Sequence, residues 1–399
     1  MFVAERLLVG GPPTIDTVNV FGQAGMFKSG MIPYRDFVFE FPPLAMLIFL
    51  APALFASGLS SYSYLYGLEM IGFALLAMCF SMKMADRLGL DKSIAGALFL
   101  LFVLAGQMII GKFDIVAAAA VTASLYFCSK KRYGVAAALM TAGALIKIYP
   151  GALIPLIFVA IWFDSDASRR WRATAVALAS CAAVALLAFV PLFLSSVSFG
   201  EATSFMGFHS DRGFQIESTV AVAIQALGQL GLTDFHLAYS HSTYDVVSPI
   251  ADALLPYGMP ACIALVAATL AFAAFNERRL RRAGSEGGIH MRMVLYSAMV
   301  MIAFMLSNKV FSTQYVVWLY PLLPIIVLAR EGKMRIALAA VSLSAVFLSI
   351  MIFWVGHLSA AFPAVNIVRD AMLVILFAQA LLMARAGVGA GSRDRRGQS

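Results

Sequence analysis

Residues 30–50 read "GMIPYRDFVFEFPPLAMLIFL". Arg35, Asp36 and Glu40 stand among aromatic residues, Pro42-Pro43 follow, and an apolar run then begins. Charges are costly in hydrocarbon, so membrane proteins keep them at interfaces or in cavities. If the run 44–57 crossed the bilayer, residues 1–43 would be cytoplasmic. The run is only 14 residues long, carries Pro52 and follows two prolines. That pattern predicts a re-entrant or interfacial helix. Residues 1–63 then lie mostly on the outer face.

The rest of the chain makes the membrane reading firm. Of 399 residues, 61% are hydrophobic and 13% charged, a composition that excludes an ordinary soluble domain. The net charge of +8 is not read as a nucleic-acid footprint, because excess Lys and Arg in a membrane protein mark cytoplasmic loops. Cys79, Cys128, Cys181 and Cys262 lie in apolar runs without CxxC spacing and read as packing residues. Residues 1–16 are too short and polar for a cleavable signal peptide.

Apolar segments at 64–82, 93–110, 114–129, 134–147, 148–163, 173–195, 254–275, 293–307, 314–329, 336–355 and 366–384 predict an all-α, polytopic membrane helix bundle of about eleven spans. The pair within 134–163 also reads as one bent hairpin around "KIYP". Six basic segments hold 21 of the 29 Lys and Arg residues: "MKMADRLGLDK", "SKKR", "RRWR", the loop from "NERRLRR" to Arg292, "REGKMR" and the tail from Arg385. All six fall on alternate sides of these spans, which makes them cytoplasmic. The chain then divides into an outer loop with its re-entrant helix (1–63), a first transmembrane module (64–195), a large outer loop (196–252), a second module (253–385) and a disordered basic tail (386–399).

This topology sorts the rare polar residues. Asp16, Arg35, Asp36, Glu40, Lys112, Asp114, Lys147, Tyr149, His209, Arg212, Glu217, Asn308 and Lys309 reach the same outer side. Snorkelling accounts for a lone lysine at a helix end, and remains open for Lys112, Lys147 and Lys309 singly. It does not account for so many charges on the side that the positive-inside rule depletes. A shared polar cavity opening outward does.

The loop 196–252 holds "FMGFHSDRGFQIES" and an amphipathic stretch at 219–231. A DxD at Asp164–Asp166 abuts "RRWR" and reads as a solvated cytoplasmic loop. His236 and His241 have no cysteine nearby, so neither a metal nor a cofactor is expected. Arg suits bidentate phosphate binding and Lys acts as a point charge. Aromatic rings stack on sugars and prenyl chains. A carboxylate can take a proton from an attacking hydroxyl. Outside the cell, a glycosyl donor is normally carried on a lipid phosphate.

Four motifs, "GMIPYRDFVFEFPPLA", "KIYP", "HSDRGFQIES" and "SNKVFSTQYVVWLYPLLP", together resemble the GT-C superfamily of integral-membrane glycosyltransferases. The similarity is closest to the polyprenol-phosphate-mannose-dependent mannosyltransferases. It implies transfer of a sugar, mannose in that family, from a polyprenyl-phosphate donor to a lipid or glycan acceptor, with inversion, at an outward-facing site in a bacterial plasma membrane. It implies that 30–57 roof the active site. Asp16 takes the place of the family's loop aspartate, the general base; read without the resemblance it is a helix N-cap after "PPT". Arg212 and His209 would contact the donor phosphate, with Gln215 and Glu217 orienting the sugar; read alone, Arg212 makes a loop ion pair with Asp211 or Glu217. Lys147, Tyr149, Lys309, Gln314 and Tyr315 would line the same cavity. Family members carry a spanning helix before the aspartate loop; against that pattern this chain is expected either to have an in-frame upstream extension of roughly 20 apolar residues or to be a truncated, less active form. Two other readings share the charged cavity: a lipid or solute transporter, and a lipid-diphosphate-dependent glycan polymerase or ligase. Membrane lipids are the expected surroundings, and nucleic acid is not an expected partner.

Overall fold

The computed structural model describes residues 15–106, 111–210, 212–240, 243–285 and 287–387. Six helices are long and apolar enough to cross a membrane: Leu59–Arg87, Ala167–Leu194, Pro249–Arg282, Ile289–Ser307, Gly332–Val355 and Phe362–Arg385. Each coincides with an expected span. The five remaining expected spans are shorter or broken. Lys92–Gly106 and Asp114–Ser129 have 15 and 16 residues, a rise of about 22–24 Å against a hydrocarbon core of about 30 Å. The run 314–329 is a 3₁₀ helix, Thr313–Leu319, followed by the short helix Leu323–Leu328.

The segment 134–163 is a hairpin. Tyr133–Ala144 descends from the "SKKR" loop, and Tyr149–Leu153 and Ile154–Asp164 return to it. The Tyr133 hydroxyl donates to Asp164 Oδ2 at 2.9 Å, so the two feet stand side by side. Pro150 and Pro155 lack N–H groups and hold the bend open. Lys147 sits at the apex, at the opposite end from Lys131.

Asp114–Ser129 and Ile289–Ser307 fill the middle of the bundle. Ala117, Ala118 and Ala119 are buried, and such small side chains let neighbouring helices close in. Ser124 Oγ donates across to Ala136 O at 2.7 Å, and Ser81 Oγ to Pro321 O at 2.6 Å. Ala167–Leu194 and Pro249–Arg282 run along the edge. Only 11% and 17% of their apolar windows are buried, against 83% for Ile289–Ser307, so their hydrophobic faces turn outward to lipid.

The opening stretch forms a roof. Gly30 and Tyr34 both have positive φ, 92° and 70°. Glycine tolerates this, but tyrosine is strained there by about 1–3 kcal/mol. Tyr34 is held by its hydroxyl, which donates to Phe41 O at 2.6 Å, and by its N–H, which donates to Phe37 O at 3.1 Å. The run after Pro43 is the nine-residue helix Ala45–Ala53, about 14 Å long and unable to cross a bilayer. Phe41 and Phe49 pack edge-on against Phe113 at 5.0 and 5.2 Å. The roof therefore rests on the residue before Asp114.

The all-α bundle carries one small addition within 196–252 that the sequence reading lacked. Phe214–Gln215, Thr243–Val247 and His236–Ser240 make a three-stranded antiparallel sheet with Thr243–Val247 in the centre. The amphipathic stretch is the helix Thr219–Gln229. It packs on Phe362–Arg385.

Candidate active site

At the end of the bundle away from the basic loops, the floor is Asp114. Its side chain is 1% exposed. It accepts from Lys147 Nζ at 2.8 Å and from Trp318 Nε1 at 2.7 Å. Trp318 stacks on Tyr149 at 3.8 Å and on Tyr315 at 4.3 Å. The Lys147 ammonium lies 4.6 Å from the Phe113 ring centre and 5.5 Å from that of Tyr315. Three distant segments, "KIYP", the start of Asp114–Ser129 and "TQYVVW", thus meet around one satisfied carboxylate.

Asp16 stands beside this floor, in the first turn of Ile15–Lys28. A carboxylate is favoured there by the helix dipole. It pairs with Lys112. This pair is open to solvent: Asp16 is 52% exposed and Lys112 31%.

The third wall joins two motifs by main-chain hydrogen bonds. Lys309 Nζ donates to Arg212 O at 2.7 Å, and Gln215 N donates to Lys309 O at 2.9 Å. Phe311 N donates to Gln215 Oε1 at 3.1 Å, and Thr313 N to Glu217 Oε2 at 2.6 Å. Arg212 is buried, and its Nε has no partner among the described residues. Gln314 is half-buried on the 3₁₀ helix next to Tyr315. Burial raises the Glu217 carboxyl above the usual range, opposed by Arg369, the Thr313 N–H and Lys112. Burial likewise raises Glu40, opposed by the charges of Arg212 and Lys147. Glu40 also feels Asp16 and Lys112, so the roof carboxyl faces the whole cluster.

The structure thus brings together Asp16, Glu40, Lys112, Asp114, Lys147, Tyr149, Arg212, Gln215, Glu217, Lys309, Gln314 and Tyr315. Snorkelling does not describe the three lysines, since each has a protein partner. Arg35 and Asp36 stand apart. They form an exposed pair at 2.9 Å, and Arg35 Nη1 donates to Ser195 O at 2.7 Å. The bond from Arg35 holds the Asp36 carboxyl below its usual range. This pair ties the roof loop to the end of Ala167–Leu194. His209 lies on the helix Ser204–Ser210, with its side chain outside the described residues, as is Asp211.

Two groups went unnoticed in the sequence. Trp318 lay inside a quoted motif but was not singled out. Arg369 and Asp370 lay inside an apolar run, where an ionisable residue is itself a signal of function. The DxD reading changes too. Asp164 is half-buried rather than solvated, accepting from Tyr133 and pairing with Lys131 at 3.3 Å. Among the described residues, no group of three His, Cys, Asp or Glu side chains could hold a metal. His241 lies outside them.

Residues 39–232 match glycosyltransferase family 87. The match takes in Glu40, Lys112, Asp114, Lys147, Tyr149, Arg212, Gln215 and Glu217. Asp16 and the 309–315 wall lie beyond its ends. No curated protein matches the chain. Among solved structures, ArnT from Cupriavidus metallidurans bound to undecaprenyl phosphate is similar at 16% identity, covering 97% of this chain and 75% of that one, with a TM-score of 0.48. The apo state of the same enzyme gives 17% identity, 95% and 73% coverage, and a TM-score of 0.47.

Proposed function

We propose that the chain is an integral-membrane glycosyltransferase that moves a sugar from a polyprenyl-phosphate donor to a hydroxyl of a lipid or glycan acceptor, on the outer side of the membrane. The observation that carries this reading is the cluster itself. Two carboxylate–lysine pairs, a roof carboxyl and an arginine whose Nε has no partner among the described residues meet at one end of an apolar bundle, within and just beyond the segment that matches family 87.

Asp16 is the general base. It is the solvent-open carboxylate of the cluster, and an incoming acceptor can displace Lys112 from it. The acceptor hydroxyl gives its proton to Asp16 as its oxygen bonds to the anomeric carbon. The bond from that carbon to the phosphate oxygen breaks on the opposite face, and the electron pair leaves with the lipid phosphate. Inversion follows from the single displacement. Arg212 and Lys147 stabilise the charge growing on the phosphate, as preorganised cations at a half-buried site do. Asp114, already satisfied by Trp318 and Lys147, sets the position of Lys147. Tyr149 and Tyr315 hold the aromatic floor under it. The sugar of the resembled family is mannose, and mannose is the first donor to try.

The purified protein is incubated with a panel of polyprenyl-phosphate sugars, and released polyprenyl phosphate is measured. Release with one sugar and an acceptor supports the reading. Release from none of the panel, with active uptake or export of a lipid by reconstituted protein, replaces it with transport.

A further inference from the structure

The last long helix, Phe362–Arg385, carries two charges inside its apolar run. Arg369 is fully buried and Asp370 nearly so. Charges in such a place are expensive and are kept for a reason. Arg369 Nε donates to Asp370 Oδ1 at 2.9 Å. The two are neighbours in sequence, so this bond joins no two elements of the bundle. What it does is fix the guanidinium. Arg369 Nη2 donates to Glu217 O at 2.9 Å, and the guanidinium lies 3.9 Å over the ring of Phe311. The other oxygen of Asp370 accepts from Thr219 Oγ1 at 3.0 Å.

These contacts fall on the two segments that make the third wall. Glu217 and Thr219 follow Arg212, and Phe311 precedes Thr313 and Tyr315. The wall's own bonds, Phe311 N to Gln215 and Thr313 N to Glu217, lie between the same two segments. We infer that Arg369, held by Asp370, is a positioning residue that sets the 212–217 segment in register with the 311–315 segment, so that donor use depends on a helix that does not itself carry the site. This rests on the glycosyltransferase reading.

Removing Arg369 alone leaves Asp370 buried and uncompensated, so the single variant is expected to fold poorly. The informative variant is R369M/D370N. It removes both charges together, keeps an unbranched apolar stem at 369 and leaves an acceptor for Thr219. Replacing a buried pair as a unit is often neutral for stability. The expected result is a melting temperature close to wild type and a ten- to hundred-fold loss in kcat/KM for the donor. The acceptor KM stays unchanged. Amide exchange quickens across 212–217 and 311–315. R369K, which keeps the charge but loses the fork, regains part of the turnover. Wild-type turnover in the double variant overturns the inference, as does a loss that merely follows the loss of folded protein. A wild type inert towards every polyprenyl-phosphate sugar sinks the glycosyltransferase reading instead. The exchange comparison then decides the clamp by itself, and unchanged exchange in R369M/D370N overturns it.

Discussion

The two ends of the bundle both hold buried charges, and they use them differently. At the end with the basic loops, Arg292 and Glu277 form a bidentate pair at 2.6 and 2.7 Å, with side chains 1% and 3% exposed. The Tyr296 hydroxyl donates to the same carboxylate at 2.9 Å, and Asn276 Nδ2 donates to that hydroxyl at 2.7 Å. Both Glu277 oxygens are taken and no solvent reaches them. At the other end, about 25 Å away along Ile289–Ser307, the pairs grade from closed to open. Asp114–Lys147 is nearly closed, Asp16–Lys112 is exposed, and Arg212 Nε has no partner among the described residues. A saturated pair locks helices together. An unsaturated one holds charges that a ligand can claim.

The comparison breaks most readily at Asp16. Asp16→Asn keeps size and helix-start chemistry but cannot accept a proton, so turnover should fall by about 10²–10⁴-fold with folding unchanged. Released lipid phosphate and a melting curve measure the two. Near-normal turnover in this variant, with Glu40→Gln or Asp114→Asn inactive, would move the base elsewhere in the cluster. Glu277→Gln tests the opposite end. It strips the charge from a sealed pair, so stability should fall by about 3–5 kcal/mol while turnover per folded molecule stays the same. A variant with full stability and lost turnover would place that end in the mechanism.

Arg212→Ala should weaken donor binding by about 1.5–3 kcal/mol, roughly ten- to a hundred-fold, and Arg212→Lys by less, because the charge remains. Wild-type affinity in Arg212→Ala would put Arg212 outside the site. Glu40 gives a subtler effect. Its carboxyl is raised by burial, so it stays neutral to higher pH than an ordinary glutamate. While neutral, it leaves Arg212 and Lys147 to the phosphate. As pH rises through its pKa, the new negative charge competes with the donor, and donor KM should increase. Glu40→Gln should flatten that rise, and an unchanged profile would refute the role. The smallest effect is expected at Asp36→Asn. The Arg35–Asp36 pair lies at the surface, away from the cluster, and turnover should not change measurably.

Much of this was legible from residues alone. Hydropathy gave the six long helices, and the basic loops divided the two ends. "KIYP", "HSDRGFQIES" and "NKVFSTQYVVW" were singled out, and the structure brings residues of all three together. What escaped has physical causes. The partner of Trp318 is 204 residues away, and nothing local in an apolar run tells a packing indole from a hydrogen-bonding one. Arg369 and Asp370 sat inside a run still apolar enough to count as a span. The sheet of 196–252 includes a strand of two residues, too short to show alternation. The elements at 148–163 and 314–329 restart at Pro150, Pro155 and Pro324, each in a first helical turn, and hydropathy averages over such breaks.

Trp318 also makes the molecule its own optical probe. The chain has four tryptophans. Trp162, Trp171 and Trp354 are 45%, 72% and 57% exposed, whereas Trp318 is 2% exposed. Its indole is bonded to the carboxylate that Lys147 neutralises. A donor phosphate that draws Lys147 away leaves a bare negative charge at the indole N–H and changes the field along the excited-state dipole. With the three outer tryptophans replaced by phenylalanine, the remaining emission should shift on adding donor lipid. Occupancy of the site could then be followed by light alone, before any sugar has moved.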